Sequence, residues 1–218
     1  NGDAALTNGT FTLTDGTVGE TSSAWYLFKQ DINAFEASFE YLSVSNIGSA
    51  DGMAFVLQNA PAGIDAIGGG GGGLGYTGII PSFALLLNIY AISPGGQGIQ
   101  IGTAGAALGP YIDSSPANPA SGDPIKVELL YVNGVLDVTM SNLVSSLTYT
   151  TNFTVDIPAA VNGNQSWVGL TAATGGDAGY QYVSNFMFTS LSAISTVIVN
   201  NATDPSGSDP NILPRALG

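Results

Sequence analysis

Residues 125–140 read IKVELLYVNGVLDVTM, and this stretch decides the fold class. Two runs of β-prone residues, Ile125–Val132 and Val135–Met140, flank the dipeptide Asn133-Gly134. A two-residue type I′ turn needs positive φ at both central positions, and Asn-Gly is the pair that tolerates this conformation best. The stretch therefore predicts two antiparallel strands joined by a tight hairpin.

The same organisation recurs on both sides of this hairpin, because short β-prone runs end at Gly, Asn, Asp or Pro while the helical period is nearly absent. Residues 35–41 alternate apolar side chains with Glu36, Ser38 and Glu40, which predicts one inward and one outward face. This repetition predicts an all-β fold, an antiparallel two-sheet β-sandwich of the jelly-roll kind. Further strands are predicted at 11–14, 52–58, 83–90, 98–104, 151–157, 166–174 and 183–190.

One segment has an unusual composition: residues 68–73 are six consecutive glycines. Composition alone favours a flexible loop. A phosphate-binding loop is excluded, because no Gly-Lys-Ser/Thr and no helical pattern follow the run.

Charged residues are scarce in this chain of 218 residues, a length that fits a single all-β domain. Only 9% of residues are charged, against about 25% in a typical soluble protein. Three basic residues and a net charge of −13 leave little that could neutralise nucleic-acid phosphates or attach to an anionic membrane surface. No apolar run approaches the roughly 20 residues of a spanning helix, so we expect no membrane insertion.

The compartment is indicated by sequons rather than by cysteine, since a chain without Cys fits either side of a membrane. The start at Asn1 is interpreted as a mature or trimmed N-terminus. Four Asn-x-Ser/Thr sequons favour an extracellular or cell-surface location. The candidates for N-glycosylation are Asn8, Asn152, Asn164 and Asn201.

Enzymatic chemistry lacks its usual residues, because without His and Cys neither a Ser-His-Asp nor a Cys-His arrangement is possible. Sandwich glycosidases need two carboxylates about 5–10 Å apart. Glu36 and Glu40 share one strand face without a partner carboxylate, and we interpret them as a solvated outer face. A Ser–Lys pair through Lys29 or Lys126 would lie in no recognisable motif. We predict no catalytic residues and no enzymatic activity.

Several segments, taken in chain order, are similar to the landmarks of one family. They are NGDA at 1–4 with FTLT at 11–14, SAWY at 23–26, ADGMAFVLQ at 50–58, LGYTGI at 74–79 after the glycine run, WVGLTAATG at 167–175 and VSNFMFTS at 183–190. This series resembles the legume-type (L-type) lectins in their bacterial or fungal form. The resemblance covers residues 1–190 and implies a legume-lectin-like, concanavalin-like sandwich for that domain.

The residues depart from the family at its metal site. In the family, the strand that resembles 83–90 contributes a Glu and an Asp to a paired calcium and transition-metal site, with another Asp and a His downstream. Here those strand positions are Leu86 and Asn88, His is absent, and no carboxylate lies between Asp65 and Asp113. A hard cation takes six or more oxygen ligands, and imidazole suits the second metal. We therefore predict no metal and no cofactor.

The resemblance also implies a sugar-binding role for the segment around Asp51. In the family the metals support a cis peptide before the corresponding Asp, so in their absence we expect Ala50–Asp51 to be trans and the pocket to be less ordered. An alternative interpretation makes Asp51 an ordinary turn residue of Ala-Asp-Gly. The candidate carbohydrate-binding residues are Asp51, Gly73, Asn88, Thr174, Gly175 and Asp177.

Both ends of the chain differ from the family as well. Members of the family usually have a strand before the segment that corresponds to NGDA. This chain begins at that segment, so we expect the first strand of the back sheet to be missing. Residues 191–218 extend beyond the family's last strand, and within them 194–199 is strand-like and apolar on both faces. This strand either folds back in cis and replaces the missing strand, or enters a neighbouring molecule head to tail by β-augmentation, which we favour. The candidate assembly residues are Ile194, Val197, Ile198 and Val199.

Three functions from different classes follow. The leading hypothesis is a non-enzymatic structural or adhesive subunit of a surface or filamentous assembly, whose partners are copies of itself joined by strand exchange. The second is a secreted, metal-independent lectin that binds glycans through Asp51 and the glycine loop. A hydrolase, the third, lacks support in the residue inventory.

Overall fold

The computed structural model describes residues 1–191, apart from the side chains of residues 46 and 47. Within this range the chain forms short and medium β-strands, one four-residue helix and two 3₁₀ turns, at Gly63–Asp65 and Gly71–Gly73. The elements are β1 (Ala5–Thr7), β2 (Thr10–Asp15), β3 (Thr21–Trp25), β4 (Gln30–Asp31), β5 (Phe35–Ile47), β6 (Gly52–Gln58), β7 (Ser82–Asn88), β8 (Gly98–Thr103), β9 (Ala106–Ala107), β10 (Ile125–Val132), β11 (Val135–Asn142), β12 (Thr148–Thr154), α1 (Ile157–Ala160), β13 (Gln165–Ala173) and β14 (Ala178–Ser190).

The strands form two antiparallel sheets of seven strands each. The back sheet has the order β1-β2-β14-β5-β10-β11-β12, and the front sheet has the order β3-β13-β6-β7-β8-β9, with β4 paired to β13. Buried aromatic and aliphatic side chains of both sheets fill the space between them. The predicted all-β, two-sheet sandwich is confirmed.

The hairpin predicted at Asn133-Gly134 joins β10 to β11. Val132 pairs with Val135, and the turn residues Asn133 and Gly134 have φ of 53° and 78°. Side chains along β10 alternate between the buried and the more exposed face, so that Ile125 and Val127 point into the sandwich. The Asn-Gly signal therefore identified both the turn and its register.

The front sheet is buried on both of its faces along β6 and β7. Inward side chains such as Phe55 and Leu85 belong to the main core. Outward side chains such as Val56 and Leu86 pack under Tyr76 of the loop that follows the glycine run. This covering loop explains why both strands are apolar in both directions.

The glycine run is ordered, and the expectation of a flexible loop is wrong. The Gly68 N–H donates to the Gly75 carbonyl oxygen at 2.7 Å, the Gly69 N–H donates to the Thr77 carbonyl oxygen at 2.8 Å, and the Gly71 N–H donates to the Thr174 carbonyl oxygen at 3.1 Å. Glycine is needed here because the two arms of the loop lie in contact, leaving no room for side chains between their backbones.

The other predicted strands are present, with shifted ends. The segment predicted at 151–157 is the strand Thr148–Thr154 followed by α1. The strand stops early because Asp156 caps α1, accepting a hydrogen bond from the Ala159 N–H at 3.0 Å, and Pro158 occupies the first turn. Of the helices within residues 1–191, none has the length and apolarity needed to cross a membrane.

The ordered glycine loop can be tested by adding a single methyl group. We expect Gly68→Ala to lower the free energy of unfolding by about 1–3 kcal/mol, the usual cost of overpacking, because the new Cβ would lie 2.6 Å from the Tyr76 carbonyl carbon. Gly72→Ala is the matched control, since its Cβ would meet no atom within 4 Å. Urea denaturation measures both variants, and equal stabilities would contradict the packed loop.

Candidate functional site

The candidate site lies where the start of β6 meets the end of β13. These strands are antiparallel neighbours with Gly52 opposite Ala173, so Asp51, just before β6, lies beside Thr174, just after β13. The glycine loop crosses above them through the Gly71–Thr174 backbone hydrogen bond. The topology therefore brings together three segments that are far apart in the sequence.

Asp51 is the central side chain of this site. Its residue is only 5% exposed, and within the described part of the chain its Oδ2 atom is buried and has no hydrogen-bond partner. Glycines lie on two sides of this atom: a Cβ at Gly175 would be 2.9 Å from Oδ2, and a Cβ at Gly71 would be 3.8 Å away. Any larger residue at 175 would occupy the space next to the carboxylate.

The Ala50–Asp51 peptide bond is cis, so the expected trans bond is wrong. Backbone hydrogen bonds join the residue to the neighbouring segments on its two sides: the Asp51 N–H donates to the Ala173 carbonyl oxygen, and the Ile89 N–H donates to the Asp51 carbonyl oxygen, both at 3.0 Å. Strand pairing, rather than a cluster of carboxylates, fixes the backbone at this point.

The electrostatic environment of Asp51 is unfavourable for its charge. Burial raises the pKa of the Asp51 carboxyl above its ordinary value, and the negative charge of Asp177 raises that pKa further. Burial also raises the pKa of Tyr111 to about 12, with the charge of Asp51 as a second cause. Tyr111 therefore keeps its proton at neutral pH and places a neutral phenol in the field of Asp51.

Thr174 and Asp177 shape the loop beside Asp51. The Thr174 hydroxyl donates to the Thr17 carbonyl oxygen at 2.7 Å and accepts from the Glu20 N–H at 2.8 Å. Asp177 is half-buried, and its carbonyl oxygen accepts from the Gly175 N–H at 3.2 Å. Thr174 thus anchors the loop, while Gly175 and Asp177 lie next to the carboxylate.

Asn88 lies opposite Gly52, the residue after Asp51, in the pairing of β6 with β7, whereas a Cβ at Gly73 would meet Thr77. Asn88 is fully buried, and its Nδ2 donates to the carbonyl oxygens of Tyr90 and Gly96 at 2.8 Å, while its Oδ1 accepts from Ser93. Asn88 therefore holds the loop that follows β7. Gly73 is in the 3₁₀ turn of the glycine loop, but Gly71 is the glycine of that turn next to the carboxylate.

Sequence reasoning missed Tyr111 and Gly71. Tyr111 follows Gly109-Pro110 in a loop whose backbone is hydrogen-bonded to Pro94 and Ile99, and its ring packs on the outer side of the front sheet. No local pattern marks such a contact. Gly71 had a signal, membership of the glycine run, but nothing distinguished it from its neighbours.

The donor atoms here do not fit the paired metals that the resemblance implies. Within residues 1–191 no group of three or more His, Cys, Asp or Glu side chains is placed to hold a metal ion. Asp51 and Asp177 contribute only two carboxylates, and the Asn88 side chain is used by the chain itself. Leu86, at a position where the family has a carboxylate, packs against apolar side chains. Such a set falls short of the ligands that a hard cation needs.

The remaining candidates lie away from this site. Of the sequon asparagines, Asn8, Asn152 and Asn164 are exposed, and glycosylation at them stays a prediction. Asn201 and the assembly residues Ile194, Val197, Ile198 and Val199 lie outside the described residues.

The carboxylates considered for hydrolysis face outward, as predicted for the polar face of β5. Glu36 is exposed and Glu40 is half-buried on the outer side of the back sheet. Lys126 pairs with Glu128 at 2.6 Å, and Lys29 lies 4.2 Å from the centre of the Trp167 ring.

The coupling between the two carboxylates gives a pH-dependent prediction. Because the folded-state pKa of Asp51 is raised, the folded state holds this proton more tightly than the unfolded state, and stability falls as pH rises through that pKa. We expect Asp177→Asn to lower the pKa of Asp51 and to reduce this loss of stability. A ¹³C NMR titration of the carboxyl groups measures the pKa. Asp137→Asn, on the outer face of β11, is the control and should leave it unchanged.

Comparison with solved structures shows that this architecture is similar to that of several lectins. Lectin I-B4 from Griffonia simplicifolia, in its metal-free form, superposes with a TM-score of 0.73 at 20% identity, covering 86% of this chain and 90% of that chain. The Bauhinia forficata lectin in complex with GalNAc gives 0.72 at 18% identity, covering 86% and 89%.

Arcelin-5, a lectin-like defense protein from Phaseolus vulgaris, gives a TM-score of 0.69 at 20% identity, again covering 86% of this chain and 89% of that chain. No protein-family model matches the sequence. The chain therefore has the legume-lectin fold.

Proposed function

We propose that this chain is a non-enzymatic, extracellular carbohydrate-binding module whose ligand site is centred on Asp51. One observation carries the proposal: a nearly buried carboxylate whose Oδ2 has no hydrogen-bond partner among the described residues, with glycines on two sides. Buried polar atoms are almost always hydrogen-bonded in folded proteins. An unpaired carboxylate oxygen beside a glycine loop fits a ligand that brings its own donors.

Sugar hydroxyls are donors of the required kind. A carboxylate accepts hydroxyl hydrogen bonds that are charge-assisted and stronger than neutral ones. Gly71 and Gly175 permit close approach to this oxygen, and Tyr111 adds an aromatic ring with a neutral hydroxyl near it. The lectin UEA-II has been solved in complex with galactose and the Bauhinia lectin in complex with GalNAc, and they share the fold at 20% and 18% identity. These two sugars are therefore suitable first probes.

The site works without a metal ion in this proposal. Backbone pairing with β13 and with the residue after β7 holds Asp51, and hydrogen bonds of Thr174 hold the loop beside it. We therefore expect EDTA to change neither the melting temperature nor sugar binding, as measured by calorimetry. A fall of several degrees in the melting temperature would contradict the metal-free site.

Binding should depend on the charge of Asp51 and on the space at Gly175. On a glycan array that includes galactose and GalNAc, we expect Asp51→Asn to weaken the wild-type signal about tenfold to a hundredfold, the loss of one hydrogen bond to a charged group. Gly175→Ala should have a similar effect, because its Cβ would lie 2.9 Å from Oδ2.

Gly176→Ala is the matched control for that substitution, since a Cβ there meets no atom within 4 Å. Binding should also weaken as pH falls through the raised pKa of Asp51, because the protonated carboxyl loses acceptor strength. A wild-type chain that binds no glycan on the array, or an Asp51→Asn variant that binds as well as wild type, would overturn the proposal.

A structural or adhesive role is the second candidate, in which copies of the chain join through strand exchange into a surface or filamentous assembly. It is favoured by an open border in the back sheet: the edge strand β1 is exposed along its length, with Leu6 61% exposed. Edge strands with free backbone groups invite pairing with another chain.

This second candidate predicts that the C-terminal segment is needed for assembly. We expect removal of residues 192–218 to abolish high-order species, measured by light scattering and negative-stain imaging of the full-length and truncated chains. Unchanged circular dichroism would show that the truncated sandwich still folds. Normal assembly by the truncated chain would rule out this candidate and leave the glycan proposal intact.

A further inference from the structure

The last part of β14 has a neighbour on one side only within the described residues. On one side β5 pairs along β14 as far as Ser190, which lies opposite Phe35. On the other side β2 pairs from Tyr180 only to Ser184, which lies opposite Thr10. Residues 186–190 therefore have no neighbouring strand on this side among the described residues, and we call this side the free edge, although the Ser190 hydroxyl donates to the Asp31 carbonyl oxygen at 2.7 Å.

The direction of the backbone groups along this edge follows from one hydrogen bond. The Leu191 N–H donates to the Ala34 carbonyl oxygen at 2.8 Å, on the β5 side. Backbone groups alternate between the two sides of an antiparallel strand, so the N–H groups of Ser190 and Phe188 face the free edge. A hydrogen bond with the Phe188 backbone lowers the pKa of the Tyr26 hydroxyl, while burial raises it more. Only a donor favours the charged phenolate, so the Phe188 N–H donates to the Tyr26 hydroxyl, and an added strand would have to replace this acceptor.

Next to this edge the interior of the sandwich is open. The Phe186 ring lies 5.6 Å from the Tyr26 ring and 6.3 Å from the Phe55 ring, and the Phe188 ring stacks on Phe35 at 5.0 Å between centres. Both phenylalanines point into the core, yet both remain only half-buried, whereas Phe35 and Phe55 are fully buried. The core is therefore uncovered where a further strand would lie.

The opening is an apolar groove between the two sheets, with a volume of about 250 Å³. A second concavity of about 310 Å³ continues it and shares Phe11, Ala24 and Trp25 with it. A strand that placed aliphatic side chains in this groove would bury them against aromatic rings, at about 1.5–3 kcal/mol per side chain. The groove is lined by Phe11, Ala24, Trp25, Tyr26, Leu170 and Phe186.

We propose that this groove accepts residues 194–199 of a second copy of the chain as an added strand beside residues 186–190, an assignment that rests on the second candidate function. The segment ISTVIV, with six residues, is long enough to span the five residues of the edge and supplies aliphatic side chains. Its residues belong to the stretch 192–218, which follows β14 in the sequence. The chain thus contains an aliphatic segment that could fill the apolar groove beside β14.

The short connection between Leu191 and residue 194 favours insertion into a second copy over insertion into the same copy. Leu191 is still hydrogen-bonded to Ala34, so Ser192 and Ala193 alone would have to form a turn back into the groove. Two-residue hairpin turns need positive φ at the first or at both central positions, which favours Gly, Asn and Asp. Ser-Ala is unsuited to such a turn, whereas entry into another molecule needs no turn at all.

Cysteine cross-linking tests the assignment directly, because the chain has no Cys of its own. Thr189→Cys places a thiol on the exposed face of the free edge, and Thr196→Cys places one in the donor segment. When the two full-length variants are mixed and mildly oxidised, we expect a disulfide-linked heterodimer. Ser195→Cys and Val197→Cys extend the scan over neighbouring registers.

Thr150→Cys is the matched control for position 189, because Thr150 is exposed on β12 at the opposite border of the same sheet. It should give no cross-link with Thr196→Cys. Val197→Asp in the donor segment should abolish the heterodimer, because residue 197 faces the groove when residue 196 faces outward. Circular dichroism checks that the fold is retained.

Two results would overturn the assignment. A disulfide within one molecule of the Thr189→Cys/Thr196→Cys double variant, without cross-links in the mixture, would show that the segment folds back in cis. No cross-link in either experiment, together with loss of assembly on truncation at residue 191, would show that the segment docks elsewhere while assembly still depends on it.

Discussion

The burial of β6 and β7 on both faces is the constraint on which the rest of the structure depends. One face packs into the aromatic core between the sheets, and the other would be an apolar surface in water without a cover. Leu74 and Tyr76 provide that cover, and they lie flat on the sheet because the glycine run before them lets two backbone arms run in contact. The same loop conformation places the Gly71 N–H in hydrogen-bonding distance of the Thr174 carbonyl oxygen, which brings the loop to the candidate site.

The electrostatics of the site follow from the scarcity of charge. The two lysines of the described chain are engaged elsewhere, Lys126 with Glu128 and Lys29 over Trp167. Asp51 therefore faces burial and a second carboxylate, and both disfavour its ionised form. A ligand that donates hydrogen bonds to Asp51 would stabilise its ionised form and offset the cost of burying this charge near Asp177.

The back sheet is less complete than the front sheet. β14 spans thirteen residues, while β2 accompanies only its first part. Phe186 and Phe188 remain half-buried beside that gap although their rings face the core. The core is therefore less covered beside the second half of β14, where the strand lacks a partner on one side among the described residues.

The sequence by itself determined the fold class, the central hairpin and most strands, because alternation and turn residues are local properties. Asn133 and Gly134 have the positive φ that their types favour, and β6 and β7 are as buried as their apolar runs require. It also singled out Asp51 and Gly175, through the resemblance to a family. The role of Asn88 depends on the tertiary structure. Its side-chain amide donates hydrogen bonds to carbonyl oxygens of a loop whose path no local pattern specifies.

The same holds for the cis bond before Asp51, which no residue pattern marked, and for Tyr111, which approaches Asp51 from a distant loop. The packed conformation of the glycine run likewise could not be predicted from the sequence, since a glycine-rich composition is compatible with both a mobile and a packed backbone. Local residue preferences act over a few bonds, whereas these features arise from contacts between segments far apart in the chain. Only the packed sandwich brings such segments together.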